Sequence, residues 1–307
     1  MRPPKRPDLF VGMTTWQSEL MLPTALSALR RHTDGATTRL VVIDNMSTDA
    51  SCTIARDHGA EVIRMRCGQA EALERLVNLS RGKYTLLLHA DVVLLAPDWL
   101  ETCTAKLADG TVLVSPQDIG CGPWTRPYGR GKPESSFMLW DTAAMRRLRR
   151  WSRTRWHRLP APTLRLRFDG AHITHHLPGV LQEAGLSWAP MEVLCSEPLQ
   201  QPWFDPGNLP CLWSPSMGKL RYGLGNFYRL DGRVTHYHNW FDRIERHGGK
   251  SRGGTTTGDG SGVPIDYIAA ATQRFLEDWR ADRVHLPPAA AREQAPAELT
   301  ANVSAAP

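Results

Sequence analysis

The chain has 307 residues, enough to bury the core of one large domain, and its 41% apolar content suits a globular protein. A formal charge of +6 and a pI of about 9.1 permit a polyanionic, phosphate-bearing or acidic-membrane partner without selecting one. No run approaches the roughly 18 apolar residues of a spanning helix, the start MRPPKRPDLF lacks the apolar stretch of a secretory signal, and cysteines 52, 67, 103, 121, 195 and 211 form no C-x-x-C pair. The expectation is a cytoplasmic protein with reduced thiols, peripheral membrane contact being left open, and the oligomeric state is not legible.

Residues 1–8 are proline-rich and charged and read as a loose arm. LFVGMTTW predicts a strand, and LMLPTALSALRRH a helix that tolerates Pro23 in its first turn. TRLVVIDNMSTD is a second strand closing on Asp44 and Asn45, with Ser47, Thr48 or Asp49 placed to cap the helix ASCTIARDHG, which stops at Gly59. AEVIRMR, GQAEALERLVNLSRG and KYTLLLHADVVLL follow as strand, helix and fourth strand. Such alternation predicts an α/β fold with an open, mostly parallel sheet covered by helices. Ligands of such sheets bind beyond the carboxyl ends of the strands, where Thr14, Thr15, Asp44, Asn45, His89 and Asp91 fall.

DWLETCTAKLADG then reads as a short helix, TVLVSPQ as a fifth strand, 119–135 as a Gly/Pro-rich irregular loop, and SFMLWDTAAMRRLRRW as strand then helix. Arginines crowd 146–167 around Trp151 and Trp156. A helix is expected over roughly 174–184, ending near Gly185 before a short strand, and RVTHYH is an alternating strand followed by a short polar helix. Residues 248–262 read as a lid or flexible loop, IDYIAAATQRFLEDWRADRV as an amphipathic helix, and 286–307 as a disordered tail. The expected division is a first half, 9–118, and a second half of the same domain, 119–285.

VGMTTW, VVIDNMSTDAS and LSRGKYTLLLHADVVLLAPDWLE, in this order and spacing, resemble the nucleotide-sugar-dependent glycosyltransferases of the GT-A fold, in particular family 2. FMLWDTAAM, RFDG, LQEAGLSWAP and VTHYH continue the resemblance more loosely. The resemblance implies a Rossmann-like fold with an irregular acceptor-binding second half, and a glycosyltransferase using Mn²⁺ or Mg²⁺. By position it places nucleotide contacts on Thr14, Thr15 and Trp16, a base contact on Asp44, the metal-binding aspartate on Asp91, and a late metal-binding histidine on His238 or His236. Two departures stand out. His89 occupies the place of a first aspartate, and AHITHHL stands where relatives carry an acidic pair that includes the proposed base.

The chemistry fits these positions. A departing nucleoside diphosphate gathers negative charge that a divalent cation can neutralise, and imidazole ligands would tilt the choice from Mg²⁺ towards Mn²⁺. Asp91 and His89 also suit a plainer role, as a turn cap and a polar gap-filler, and Asp44 could simply brace its turn. The acceptor hydroxyl must lose a proton, for which His175, His176, His172 and Asp169 are the local candidates. Asp169 also suits a loop anchor, and the histidines a structural place. Trp124, Trp203, Trp213 and Trp240 could stack on sugars of an acceptor. The expected function is therefore transfer of a sugar from a nucleoside diphosphate, UDP or dTDP before GDP, to a hydroxyl of a small-molecule, glycan or peptide acceptor, with inversion. The rivals are a catalytically inactive sugar-nucleotide-binding relative, and a nucleic-acid-binding module using the arginines of 146–167. The latter lacks aromatic strand motifs or a helical reader, so no nucleic-acid partner is expected.

Overall fold

The computed structural model describes residues 8–33, 37–117, 132–148, 174, 177–195, 221–223, 225–239 and 265–287. Strand β1 (Leu9–Thr15) runs parallel to β2 (Thr38–Asp44) on one side and β4 (Tyr84–His89) on the other, and β2 runs parallel to β3 (Glu61–Arg64). Six of the seven β1 residues are buried, as a central strand covered on both faces requires. Phe10 and Leu87 point into one core cluster, while Val11, Met13, Leu86 and Leu88 enter the other. Helix α1 (Leu22–Arg31) buries Leu22, Ala25, Leu26 and Leu29, one face at helical spacing, and carries Pro23 in its first turn.

Helix α2 (Ser51–Asp57) departs from the sequence expectation at its start. Its cap residue is Ala50, with no side-chain bond, because Ser47 and Thr48 are engaged elsewhere. Asp49 helps from one position earlier, accepting the Ser51 N–H at 3.0 Å. The chain leaves the helix through Gly59, whose φ of +77° favours a residue without Cβ. Helix α3 (Gln69–Leu79) covers the other face of the parallel strands.

The apolar run KYTLLLHADVVLL is two strands rather than one. After β4 ends at His89 the chain turns through Ala90 and Asp91 into β5 (Val92–Leu94), which pairs antiparallel with β10 (Arg233–His238). Helix α4 (Trp99–Thr104) follows, and Trp99 is fully buried with its indole N–H donating to the His32 carbonyl at 3.0 Å. Strands β6 (Thr111–Pro116), β7 (Phe137–Asp141), β8 (Ser187–Cys195) and β9 (Asn226–Leu230) complete a ten-stranded sheet in the order β3-β2-β1-β4-β7-β6-β8-β9-β10-β5. The first four strands are parallel, whereas β7 is antiparallel to both β4 and β6, and β8, β9, β10 and β5 pair antiparallel in series. This is the α/β architecture expected of the GT-A fold. Two residues separate β4 from β5, and they span only about 7–10 Å. The far end of the sheet must therefore curl back to the tip of β4. The long strand β8 allows this, because its first part pairs with β6 and its last four residues with β9.

Short helices α5 (Thr142–Arg147) and α6 (Leu177–Glu183) flank this half, α6 starting later than expected and ending as expected before Gly185. Helix α7 (Ile265–Arg280) docks through Phe275, which stacks on Tyr237 at 3.9 Å, and through Asp278, which accepts the Tyr222 hydroxyl at 2.9 Å. Burial and the bond to Asp278 push the Tyr222 phenol up to about 12, so it stays protonated as a donor. Among the described residues no helix is long and apolar enough to cross a membrane. The expected arm, the 119–131 loop, most of the arginine-rich stretch, the helix after RVTHYH, the 248–262 loop and the tail beyond 287 lie outside the described residues.

The joint between the two halves is aromatic. His236, fully buried, lies between Phe137 (centroids 4.5 Å, 11° between planes) and Tyr228 (4.6 Å, 14°), with Nδ1 2.9 Å from the Thr235 hydroxyl. Burial first, and the neighbouring His238 second, hold its pKa well below 6.5.

Two outcomes follow for stability. At Gly225 a Cβ would fall 1.9 Å from the Tyr237 hydroxyl oxygen and 2.3 Å from its Cζ, on a ring locked against Phe275. Gly225→Ala should therefore lose about 1–3 kcal/mol or more in urea unfolding, and an unchanged midpoint would contradict this packing. For His236, the unfolded chain gains a proton below pH 6.5 that the folded ring refuses. Stability should thus fall as pH drops, by at most about 1.4 kcal/mol per pH unit for one proton. His236→Phe keeps a ring in the stack and should flatten that slope in EDTA; an equal slope in both proteins would contradict the neutral buried ring.

Candidate functional site

An open pocket of about 190 Å³ sits at the carboxyl ends of the parallel strands. Thr14, Thr15 and Trp16 at the end of β1, Asn45 after β2, Gln69 at the start of α3 and His89 at the end of β4 line it. The periodic strands deliver these residues together because each runs out of apolar pattern at the same edge. The Thr15 hydroxyl is buried with no hydrogen bond among the described residues. Gly68 also lines the pocket at the head of α3, where backbone N–H groups favour negative charge. Cys67 is a wall, not a nucleophile: burial, then Glu71 and Asp44, raise its thiol pKa.

Asp44 does not line this pocket, whereas Asn45 does. Asp44 is fully buried and accepts from the Ser47 N–H at 2.9 Å and from the Ser47 hydroxyl, with Arg64 Nε 3.5 Å away. It braces the loop that presents Asn45, whose Oδ1 accepts the Cys67 N–H at 3.1 Å. A second brace crosses from the β1–α1 loop. Gln17 Oε1 accepts the N–H groups of Thr48 (2.9 Å) and Asp49 (3.2 Å), and its own N–H donates to Ser47 Oγ at 2.9 Å. Ser18 N–H donates to Ser51 Oγ at 2.8 Å. Gln17 (φ +52°) and Met46 (φ +58°) are left-handed without being glycine, a strain of about 1–3 kcal/mol each that these bonds must offset.

The other part of the site is a group of three side chains, His89, Asp91 and His238, whose ligand atoms lie within 4.8 Å of one another. Antiparallel pairing sets His238 opposite Val92, and the Asn239 N–H donates to the Asp91 carbonyl at 3.0 Å. His238 Nε2 thereby lies 3.3 Å from Asp91 Oδ1. Both side chains are buried, while His89 is half-buried with its ring 5.7 Å from that of His238, edge on. Gln69 Nε2 and the Ser135 hydroxyl contact His89 Nε2, the latter at 3.3 Å, so His89 belongs to both pocket and group. One carboxylate oxygen and two imidazole nitrogens can hold a divalent cation. Such a mixed set suits Mn²⁺ or a softer ion better than Mg²⁺, which prefers oxygen. His236, the other histidine considered for the metal, lies outside the group, in the aromatic stack.

The remaining candidates, His172, His175, His176 and Asp169 for proton transfer and Trp124, Trp203, Trp213 and Trp240 for the acceptor, lie outside the described residues. Of the arginines, Arg146 and Arg147 are exposed on α5, and Arg146 donates to the Ser80 carbonyl at 2.8 Å. Three residues escaped sequence reasoning: Gln69 and Ser135, which contact His89, and Glu134, whose Oε1 lies 3.7 Å from His238 Nδ1. Gln69 had a signal in being the first helical residue after a strand of the sheet. Ser135 and Glu134 sit in a segment read as irregular loop, yet directly ahead of the strand FMLW.

Residues 10–168, just over half of the chain, match the family described as glycosyl transferase family 2. No curated protein matches the chain. Among solved structures it is similar to a mannosyltransferase, PcManGT, from Pyrobaculum calidifontis in complex with GDP-Man and Mn²⁺, at 17% identity and TM-score 0.46, covering 61% of this chain and 55% of that one. It is also similar to glucosyl-3-phosphoglycerate synthase from Mycobacterium tuberculosis, at 19% identity and TM-score 0.37, covering 44% and 56%. For residues 1–349 of TarS from S. aureus the values are 15% and 0.39, covering 54% and 55%. The chain thus spans a little over half the length of each. By its family match, this chain belongs to glycosyl transferase family 2.

Proposed function

We propose that the protein transfers a sugar from a nucleoside-diphosphate donor to an acceptor hydroxyl. The supporting observation is the meeting, at His89, of the strand-end pocket with the His89–Asp91–His238 group. A pocket for a nucleoside beside a group for a cation is what a diphosphate-linked donor needs: the pocket takes the nucleoside and the cation the diphosphate next to it.

In this reading Trp16, Thr14 and Thr15 take the nucleoside, and the amide of Asn45, which can both donate and accept, meets the base edge while Asp44 braces it from below. That pairing suits uracil or thymine, whose N3–H lies between two carbonyls, and the same amide could meet guanine O6 and N1–H. The head of α3 faces the phosphates. Asp91 and His238 would hold Mn²⁺ in preference to Mg²⁺, with His89 at the rim, and the ion would neutralise charge on the leaving diphosphate. His175 or His176, with Asp169 nearby in sequence, takes the proton from the acceptor hydroxyl. Trp124, Trp203, Trp213 and Trp240 hold a small-molecule, glycan or peptide acceptor in the second half of the domain. A single displacement would invert the anomeric centre.

His89 in the place of a carboxylate favours one second reading, a relative that binds sugar nucleotide without turnover. Calorimetry with UDP, dTDP and GDP, with and without Mn²⁺, separates the possibilities when paired with nucleotide release from the corresponding sugar donors. Binding of at least one nucleotide, strengthened by Mn²⁺, is expected, and no binding by any would refute the donor site. Asp91→Asn should weaken Mn²⁺-dependent binding by about 10-fold or more, leaving the metal-independent part intact; undiminished metal dependence would remove Asp91 from the site. Binding without release of nucleotide in the presence of acceptors would favour the inactive relative.

A further inference from the structure

Glu134 is a buried acid beside the three-residue group, included neither in it nor in the pocket lining. It is 4% exposed, and its surroundings fix it closely. Its N–H donates to the Pro116 carbonyl at 2.9 Å, its own carbonyl accepts the Ser115 hydroxyl at 2.8 Å, and its Oε2 accepts the Tyr228 hydroxyl at 3.2 Å. That leaves Oε1 3.7 Å from His238 Nδ1, on the opposite side of the ring from Asp91, which lies 3.3 Å from Nε2.

One imidazole thus stands between two buried carboxylates. Protonated, that ring would donate to both; neutral, it carries a single N–H, and one of the two contacts then sets a nitrogen lone pair against a carboxylate oxygen. A cation between Nε2 and Asp91 removes that conflict on one side, provided the ring proton stays on Nδ1 at the other. We propose that Glu134 is a positioning residue for metal binding, holding the His238 proton on Nδ1 and aiming the Nε2 lone pair at a divalent cation shared with Asp91. A closure of about 0.5–1 Å turns the 3.7 Å contact into the hydrogen bond this needs. Carboxylates behind ligating histidines commonly raise metal affinity by fixing tautomer and ring orientation.

This inference rests on the proposed cation site at Asp91 and His238, and the two fail differently. Mn²⁺ titrations followed by electron paramagnetic resonance on the full chain, for wild type and Glu134→Gln, decide it. Glutamine keeps an oxygen for Tyr228 but cannot accept from Nδ1–H with a full charge. The expected result is a Kd for Mn²⁺ raised about 10- to 100-fold, with the melting temperature and the UDP affinity in EDTA unchanged. Equal Kd values within about twofold would overturn the role of Glu134 and leave the cation site standing, whereas no Mn²⁺ binding by the wild type would overturn both. Should Glu134→Gln fail to fold, Tyr228→Phe removes only the hydroxyl that holds Oε2. A smaller rise in Kd is then expected, and no rise would overturn the proposal.

Discussion

The 3.3 Å approach of His238 to Asp91 is the constraint on which the rest of the site depends. These residues are far apart in sequence, and the sheet brings them together only by curling until β5 and β10 pair beside the tip of β4. The corner of Ala90 and Asp91 makes this compulsory, since it is too short to let the two strands separate. A metal-capable group therefore appears where the parallel half of the fold meets the antiparallel half. His236, one turn of the pleat away, seals the same joint with an aromatic stack instead of a charge. Two histidines on one face of one strand thus divide the work between packing and chemistry.

The strand-end pocket is prepared differently, by cross-bracing of two loops. Gln17 accepts backbone N–H groups of the loop after β2, and Asp44 accepts from Ser47 within that loop. Backbone donors of the loop after β2 are thereby satisfied, and Asn45 is held beside the pocket. Left-handed Gln17 and Met46 record the cost of that arrangement. A site held this firmly before a ligand arrives spends little further ordering entropy on binding.

Much of this was legible in the sequence, and the limits have physical causes. The parallel strands could be read because each is a short apolar run ended by polar residues and followed by helical spacing, so Thr14, Thr15, Asn45 and His89 could be placed at one edge. Asp44 and Asn45 could not be ranked, because alternation decides which of two neighbours faces the core only once the register with β1 and β3 is known. The break between β4 and β5 was hidden, since LLLHADVVLL stays apolar on both sides of the corner and a change of sheet leaves no mark on hydropathy. Strand β9 was missed for a related reason: all five of its residues are buried, Arg229 and Asn226 included, so no alternation shows. Arg229 is kept there by Glu192, at 2.6 Å. Glu134 was missed because its partner His238 is supplied by the far end of the sheet.

The central claim is that this corner holds a cation through imidazole as well as carboxylate. Pulsed electron paramagnetic resonance of bound Mn²⁺, with the protein's histidines labelled with ¹⁵N, reads that directly. The account predicts hyperfine coupling from histidine nitrogen that disappears in His238→Ala. Bound Mn²⁺ showing no coupling to histidine nitrogen would contradict it.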